Sequence, residues 1–178
     1  MGIFGSLFGG KKADEVKTYQ IEPAGLVMDE DGWFYQESQD YSKSQNSIRI
    51  EQSRPGDWEI IEGFCEVDGL NSPERLQQVE AFFTGSFRWL RLEREPGSAT
   101  TADKVKVIGT FRDKKEKDRK VVLGHLASNI AEEIEREDIS DMWGRIRFIR
   151  FPKPGRSPLF LIRFDLMGPA GRNRALSA

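Results

Sequence analysis

Short runs in which apolar and polar residues alternate recur along most of the chain, and this period of two is typical of half-buried β-strands. The clearest run spans 87–94, where aromatic residues and leucines are interspersed with arginines. The arginines are expected to face water, and the inward-facing residues are predicted to be Phe87, Trp89 or Leu90, and Leu92. Comparable runs predict strands over 47–51, 58–67, 104–109, 121–123, 144–151 and 158–166. The sequence therefore predicts a fold dominated by strands.

Two segments have the spacing of short helices instead. Ser72 and Pro73 predict the start of the first helix, because serine is a favoured N-cap and proline suits the first helical position. Ser128 is expected to cap the second helix, which directly follows a strand. The apolar residues expected to pack inward are Leu76, Val79, Phe82 and Phe83 in the first helix and Ile130, Ala131 and Ile134 in the second.

Turn signals divide the chain into regions. The sequence Asp29-Glu30-Asp31-Gly32 lies between two short apolar runs and predicts a tight β-hairpin. Arg54-Pro55-Gly56-Asp57 interrupts the chain again, since proline and glycine favour turns. We predict a flexible tail over 1–16, an N-terminal hairpin extension over 17–57, a main β domain over 58–168 and a flexible tail over 169–178.

Composition limits the class of protein. Hydrophobic residues make up 38% of the chain and charged residues 31%, as in globular proteins, and no run approaches the roughly 18 apolar residues of a membrane span. Cys65 is the only cysteine, which excludes an intramolecular disulfide. We therefore expect a cytoplasmic protein with no membrane span.

Charge is distributed unevenly along the chain. Residues 1–85 contain 7 Lys and Arg against 16 Asp and Glu, net −9, whereas residues 86–178 contain 20 against 13, net +7. A basic half can present a positive face to a polyanion. Packing of acidic elements against basic ones explains the same asymmetry.

The sequence has no evident catalytic or metal-binding constellation. One histidine and one cysteine, 60 positions apart, cannot supply the usual set of metal ligands. A nucleophilic pair of Cys65 and His125 would require the fold to bring them together, and Cys65 in an apolar strand is better explained as core. We therefore expect a protein that is not an enzyme and has no cofactor.

Basic and aromatic side chains are interleaved in the last two predicted strands. A positive strip beside aromatic rings suits a groove for single-stranded nucleic acid, since charge follows the phosphates and rings stack on bases. Protection of an edge strand by arginine explains the same residues. Arg145 and Arg147 are expected on one face of their strand with Ile149. Arg150 is expected on the other face with Ile146.

Three short motifs follow one another in the basic half: Arg94-Glu95-Pro96 after a strand, Lys104-Val105-Lys106-Val107 in the next strand, and Leu123-Gly124-His125-Leu126 before a helix. Their order and the elements around them resemble the HIRAN domain, which stands alone in bacteria and is fused to helicase-like transcription factors in other proteins. The resemblance covers roughly residues 58–168. It implies a small OB-like β-barrel that captures the free 3′ end of single-stranded DNA.

The resemblance also implies a ligand pocket. His125 matches a histidine that contacts the ligand in that family, and Ser128 at the following helix start is expected to assist it. The family has an aromatic residue and a carboxylate in the loop after Arg-Glu-Pro. This chain has hydroxyl residues in that loop, namely Ser98, Thr100 and Thr101.

Two functions are compatible with these observations, both on a mainly β (α+β) barrel with two short helices and an N-terminal hairpin. The first is a binding module for single-stranded DNA ends, with His125, Ser128 and the loop residues as the pocket. Arg145, Arg147 and Arg150 would supply charge in that case. The second is a protein-interaction module that has lost the pocket, with Trp33, Phe34 and Tyr35 as its contact surface. The altered loop favours the second, and the basic half favours the first.

Overall fold

The computed structural model describes residues 25–39, 46–97, 104–135, 138–153, 155 and 159–171, and the predicted tail over 1–16 lies outside these residues, as do 172–178. Within the described part the chain is mainly β, with ten strands and two short helices. The elements are β1 (Val27–Met28), β2 (Phe34–Gln39), β3 (Ser47–Ser53), β4 (Trp58–Cys65), β5 (Val67–Asp68), α1 (Leu76–Thr84), β6 (Ser86–Glu95), β7 (Lys104–Arg112), β8 (Asp118–Leu126), α2 (Ser128–Glu133), β9 (Trp143–Arg150) and β10 (Leu161–Pro169).

The strands form one antiparallel sheet. The main path runs β1-β2-β3-β9-β6-β7-β8-β5, and β10 pairs with both β9 and β4. The predicted turn at Asp29 joins β1 to β2, where Val27 pairs with Tyr35. Because β3 pairs with β9, the N-terminal hairpin continues the same sheet. Among the described strands, no pairing joins the two ends of this path, β1 and β5, so the sheet is open.

Both helices contribute apolar side chains to the core on the inner side of the sheet. Val79, Phe82 and Phe83 of α1 are fully buried. A Cβ on Gly109 of β7 would lie 2.6 Å from the Phe82 ring, so the absence of a side chain there allows α1 to pack closely. Leu76 was predicted to pack inward, but it is 40% exposed at the start of the helix.

The helix starts differ from the prediction. The structure places Arg75 at the N-cap position of α1, one turn later than expected, and Ser72 belongs to the preceding turn, where its carbonyl accepts a hydrogen bond from the Arg75 amide at 2.9 Å. Ala127 occupies the N-cap position of α2 in an extended conformation. Ser128 is therefore already helical, and the predicted cap from its side chain does not form.

A β-bulge at the start of β6 changes which side chains face inward. Phe87 has a φ of +51°, and the register with β7 shifts between Ser86 and Trp89. A bulge adds one residue to a strand and so shifts the alternation of its side chains. Arg88 is consequently fully buried in line with Leu90, and Trp89 lies on the outer face. The prediction that arginines of this strand face water is wrong for Arg88.

A buried polar network surrounds Arg88. Its guanidinium forms an ion pair with Glu37 of β2, and neither side chain is exposed. The same guanidinium donates from Nε to the carbonyl of Phe82 at 3.1 Å and from Nη2 to that of Phe83 at 2.7 Å. The Tyr35 hydroxyl donates to Glu37 and accepts from the Arg88 amide at 2.9 Å. Burial of these charges is tolerable because they are paired and hydrogen-bonded.

Gln52 of β3 extends the network across the sheet. Its side-chain amide donates to the Arg88 carbonyl, and its Oε1 accepts from the Ile146 amide at 2.9 Å. One buried side chain thereby links β3 to both β6 and β9. Burial, reinforced by Glu37, raises the pKa of Tyr35, so its hydroxyl keeps the proton that it donates to Glu37.

Replacing Arg88 with methionine is expected to lower the free energy of unfolding by about 3–5 kcal/mol, because Glu37 would remain buried without its counter-charge. Chemical denaturation followed by circular dichroism measures this loss. The matched control is Arg49→Met, which removes an exposed arginine 3.6 Å from Glu51 and should cost no more than about 1 kcal/mol. Equal losses for the two variants would contradict a structural role for the buried pair.

Candidate functional site

His125 lies on β8 among charged side chains. In the register of the sheet it faces Lys106 of β7 and Asp68 of β5. His125 Nε2 is 3.4 Å from Glu95 Oε2, and Lys106 Nζ is 3.2 Å from Glu95 Oε1. All three side chains keep part of their surface open to solvent, at 25% for His125, 33% for Lys106 and 43% for Glu95. We call these three residues the His125 cluster.

Glu95 is the central acceptor of the His125 cluster. The hydrogen bond from Lys106, followed by that from His125, holds the pKa of Glu95 below its usual value. Hydrogen bonds to the charged form of a carboxyl group favour that form. Glu95 is therefore an anion with accessible oxygens, placed between two basic side chains. The sequence contained Glu95 within the Arg-Glu-Pro motif, but only the strand register shows that Lys106 and His125 reach it.

Of the other predicted pocket residues, only Ser128 belongs to the part of the chain that the structure describes. Ser128 is exposed, three residues after His125. Ser98, Thr100 and Thr101 lie outside the described residues, so their contribution stays a prediction. The strands that flank their loop end at paired positions, Glu95 and Lys104.

Arg145 and Arg147 lie on β9, which is separated from β8 by two strands, and share one carboxylate. Arg145 Nη2 is 2.7 Å from Asp165 Oδ2, and Arg147 Nη1 is 3.6 Å from the same oxygen. Asp165 itself is buried. Both arginines also line a groove of about 370 Å³ between β3 and β9. Their charge is thus partly neutralised, and the structure does not bring them to the His125 cluster.

Arg150 lies at the far end of β9. The register between β9 and β10 shifts at Arg147, which is left without a direct partner in β10. Beyond this irregularity the alternation changes, and Ile149 is buried with Ile146 rather than facing the opposite way. The expected division of faces in β9 is therefore wrong beyond Arg147. Arg150 is half-buried and pairs in the ladders with Ser47 and Leu161.

The three aromatic residues predicted to form a contact surface have different environments. Tyr35 is only 2% exposed and belongs to the buried network, whereas Trp33 and Phe34 are half-buried. The Trp33 ring packs edge-on against Trp89, with 5.0 Å between ring centroids. The exposed apolar side chains of this hairpin are instead Leu26, Val27 and Met28, at 62%, 39% and 71%.

All four tryptophans of the chain gather in one cluster. Trp143 lies 6.5 Å from Trp33, 6.2 Å from Trp89 and 6.4 Å from Trp58, measured between ring centroids. These residues come from four separate segments of the chain. The sequence reasoning missed the cluster. The sequence shows four tryptophans among its 178 residues. No local pattern indicates that their side chains lie close together.

A pocket of about 610 Å³ opens on this cluster, and we call it the tryptophan pocket. Its aromatic walls are Trp33, Trp89 and Trp143, and its cationic side chains are Arg54 and Arg91. The Arg54 guanidinium stacks over the neighbouring Trp58 ring at 3.7 Å and lies 5.4 Å from the Trp33 ring centroid. Thr110 and Ser140 add hydroxyl groups to the lining.

The tryptophan pocket and the His125 cluster lie on the same face of the sheet. Leu90 and Leu92 of β6 are buried. Side chains alternate between the two faces of a strand, so the odd-numbered residues of β6 form its outer face. These outer residues are Trp89, Arg91, Glu93 and Glu95. Glu93, which lies at the edge of the tryptophan pocket nearer to Glu95, forms an ion pair with Lys120 of β8. Six residues of strand separate Trp89 from Glu95, which corresponds to about 20 Å.

A reactive thiol, a metal site and a membrane-spanning helix each find little support in the described residues. Burial raises the pKa of the Cys65 thiol to about 11, so the thiol is protonated near neutral pH, and the thiolate is the nucleophilic form. Within the described residues, no group of three or more His, Cys, Asp or Glu side chains is arranged to hold a metal ion. No described helix is long and apolar enough to cross a membrane.

Comparisons of the chain with protein-family models, with curated proteins and with solved structures found no match.

Replacing Lys106 with methionine is expected to raise the pKa of Glu95 toward that of an ordinary glutamate, because the largest cause of its depression is removed. Carboxyl-carbon NMR recorded across a pH titration measures the change. Lys115→Met, at the exposed turn between β7 and β8, should leave the Glu95 titration unaltered. An unchanged Glu95 pKa in the Lys106 variant would show that the ion pair is not formed in solution.

Cys65 is expected to react with an aromatic disulfide reagent about 100-fold or more slowly in the native protein than after unfolding. A pKa of about 11, against 9.0 for an ordinary thiol, lowers the thiolate fraction by about that factor, and burial slows access further. Absorbance of the released thiolate at pH 7.5 follows the reaction. Equal rates before and after denaturation would contradict the buried position of Cys65.

Proposed function

We propose that this protein is a non-catalytic module that binds single-stranded DNA and receives the free 3′ end of the strand at the His125 cluster. The observation that carries the proposal is the position of Glu95, an anionic acceptor flanked by Lys106 at 3.2 Å and His125 at 3.4 Å. Acceptor and donors lie together at the end of β6, beside the loop that the HIRAN resemblance assigns to the pocket.

Each member of the cluster has a chemical part in this proposal. The Glu95 carboxylate accepts a hydrogen bond from the terminal 3′ hydroxyl, and a charge-assisted bond of this kind is roughly twice as strong as a neutral one. The Lys106 ammonium has three donors, so it binds the adjacent phosphate while it stays paired with Glu95. His125 donates to the same phosphate or to the sugar. A 3′ phosphate would bring negative charge against Glu95 and be repelled. Glu95 would thus replace the carboxylate that is absent from the loop.

The HIRAN-type barrel is part of the same proposal. Its support is the path of segment 58–68, which pairs with β10 through β4 and then with β8 through β5. One continuous stretch of chain therefore pairs with both end strands of the β10-β9-β6-β7-β8 path, namely β10 and β8. A barrel of this type would hold the His125 cluster at one rim.

A protein-interaction module is the second candidate function. Leu26 and Met28, on either side of Val27, expose much of their surface on and beside β1, which is an edge strand among the described strands. An edge strand with exposed apolar side chains is a place where another chain can add to the sheet. Trp33, Phe34 and Tyr35 would then support that edge from within, and binding would depend little on ionic strength.

The DNA proposal predicts a preference of about tenfold or more for a labelled single strand with a free 3′ hydroxyl over the same strand with a 3′ phosphate, the scale of one hydrogen bond to a charged group. Fluorescence anisotropy at low and moderate salt measures the two affinities. The preference should disappear in Glu95→Gln, whereas His125→Ala should weaken the binding of both strands. Both affinities should fall steeply as salt rises, because phosphate contacts release counterions.

Glu51→Gln is the matched control for Glu95→Gln, since Glu51 is an exposed carboxylate on β3, and it should keep the preference. Absence of binding to either strand at low salt would exclude the DNA proposal and favour the protein-interaction candidate. Equal binding to both strands would retain strand binding but exclude recognition of the terminal hydroxyl.

A further inference from the structure

The tryptophan pocket is not explained by recognition of a strand end. Its volume of about 610 Å³ lies within the range of pockets that hold small organic molecules. Its wall residue Trp89 lies about 20 Å from Glu95 of the His125 cluster along the outer face of β6, and its lining extends toward that cluster as far as Glu93. We infer that this pocket holds an unpaired base of the bound strand, with Arg54 and Arg91 contacting the phosphate beside it. The inference rests on the proposed function, because the base belongs to the same strand.

The walls of the pocket suit a flat ring. Trp33, Trp89 and Trp143 line it together, and they are not parallel to one another, with an angle of 89° between the Trp33 and Trp89 planes. Because the rings are not parallel, a planar guest can stack on the face of one ring while it contacts the edge of another. Bases of any sequence stack on aromatic side chains because every base has a π face.

The polar groups of the pocket are mainly hydrogen-bond donors. Trp143 is only 5% exposed, and its indole Nε1 has no hydrogen-bond partner within the described residues. Arg54, Arg91 and the hydroxyl groups of Thr110 and Ser140 complete the set. Base carbonyls and ring nitrogens are acceptors, as are phosphate oxygens. A nucleotide therefore supplies the hydrogen-bond acceptors that match the donors of this pocket.

The acidic side chains of the lining are engaged elsewhere. Asp29 Oδ1 accepts hydrogen bonds from the backbone amides of Trp33 at 2.9 Å and Asp31 at 3.1 Å. Glu93 forms an ion pair with Lys120. These carboxylates are therefore less available to a positively charged guest.

Arg54 further disfavours a cationic occupant. Its guanidinium already lies over two of the aromatic rings, and its pKa is lowered by burial and by repulsion from Arg91, against an opposing effect of Asp141. Two cations that repel each other are stabilised by an anion between them. A phosphate meets that requirement, whereas a methylated amine would add a third positive charge.

Intrinsic fluorescence reports on this pocket directly, because all four tryptophans of the chain lie in its cluster. The experiment titrates the full chain with short oligothymidine carrying a free 3′ hydroxyl, and with an abasic strand of equal length and charge. Oligothymidine should quench the tryptophan emission saturably, and the abasic strand should not. The abasic strand should also bind about 5- to 150-fold more weakly by anisotropy, the value of one stacked base.

Arg91→Gln tests the phosphate contact without disturbing the core, since Arg91 is exposed. It should weaken oligothymidine binding and reduce the dependence of log affinity on log salt by about one, while the preference for a 3′ hydroxyl persists. Arg49→Gln, an exposed arginine outside the pocket, is the matched control and should bind as the wild type does. Trp89→Leu should abolish the quenching difference between the two strands, provided that its circular dichroism shows a native fold.

The outcomes separate this inference from the proposed function. Preference for a free 3′ hydroxyl with no difference in quenching between the two strands, and unchanged binding by Arg91→Gln, would overturn the base site and leave the end-binding function intact. Absence of strand binding with saturable quenching by thymidine monophosphate would overturn end binding and support a nucleotide site. Absence of both effects would overturn both proposals.

Discussion

The buried ion pair between Glu37 and Arg88 is the constraint on which the arrangement of this molecule depends. It joins the N-terminal hairpin to β6 and to the last turn of α1, whose carbonyl groups Arg88 also satisfies. Two charges can remain in a core only when geometry and hydrogen bonding are nearly complete. The pair therefore fixes the hairpin in one position, since any displacement would leave a buried charge without a partner.

The tryptophan pocket follows from this constraint. Trp89 is adjacent to Arg88 in β6, and Trp33 precedes the network residue Tyr35 by two positions on the chain. Locking Tyr35 and Glu37 against Arg88 thus brings Trp33 and Trp89 together at 5.0 Å. Side chains held by a packed and hydrogen-bonded second layer keep their geometry better than side chains on a free surface. The outer face is consequently ordered by groups inside the sheet.

The sequence predicted most elements but few of the contacts between them, and the reason is the range of the signals. Alternation and turn residues are local, so β6, β7 and β9 lie close to their predicted spans, and both helices exist. The irregularities in β6 and β9 were not predicted because a bulge depends on the partner strand, and they changed the expected environments of Arg88 and Ile149. His125 was selected through a family resemblance, whereas Glu95 and Lys106 became neighbours only through strand register.

Charge pairing decides where the basic half of the chain can act. Many of its arginines and lysines already form ion pairs with carboxylates of the protein, as Arg145 does with Asp165 and Arg163 with Glu66. A ligand phosphate at such a place would have to compete with an existing carboxylate. Among the described ion pairs none includes Arg54 or Arg91, so an anion can meet them without first breaking a salt bridge. The net charge of −2 gives no long-range attraction for an anionic ligand, so cations outside salt bridges, such as Arg54 and Arg91, determine where such a ligand gains contact.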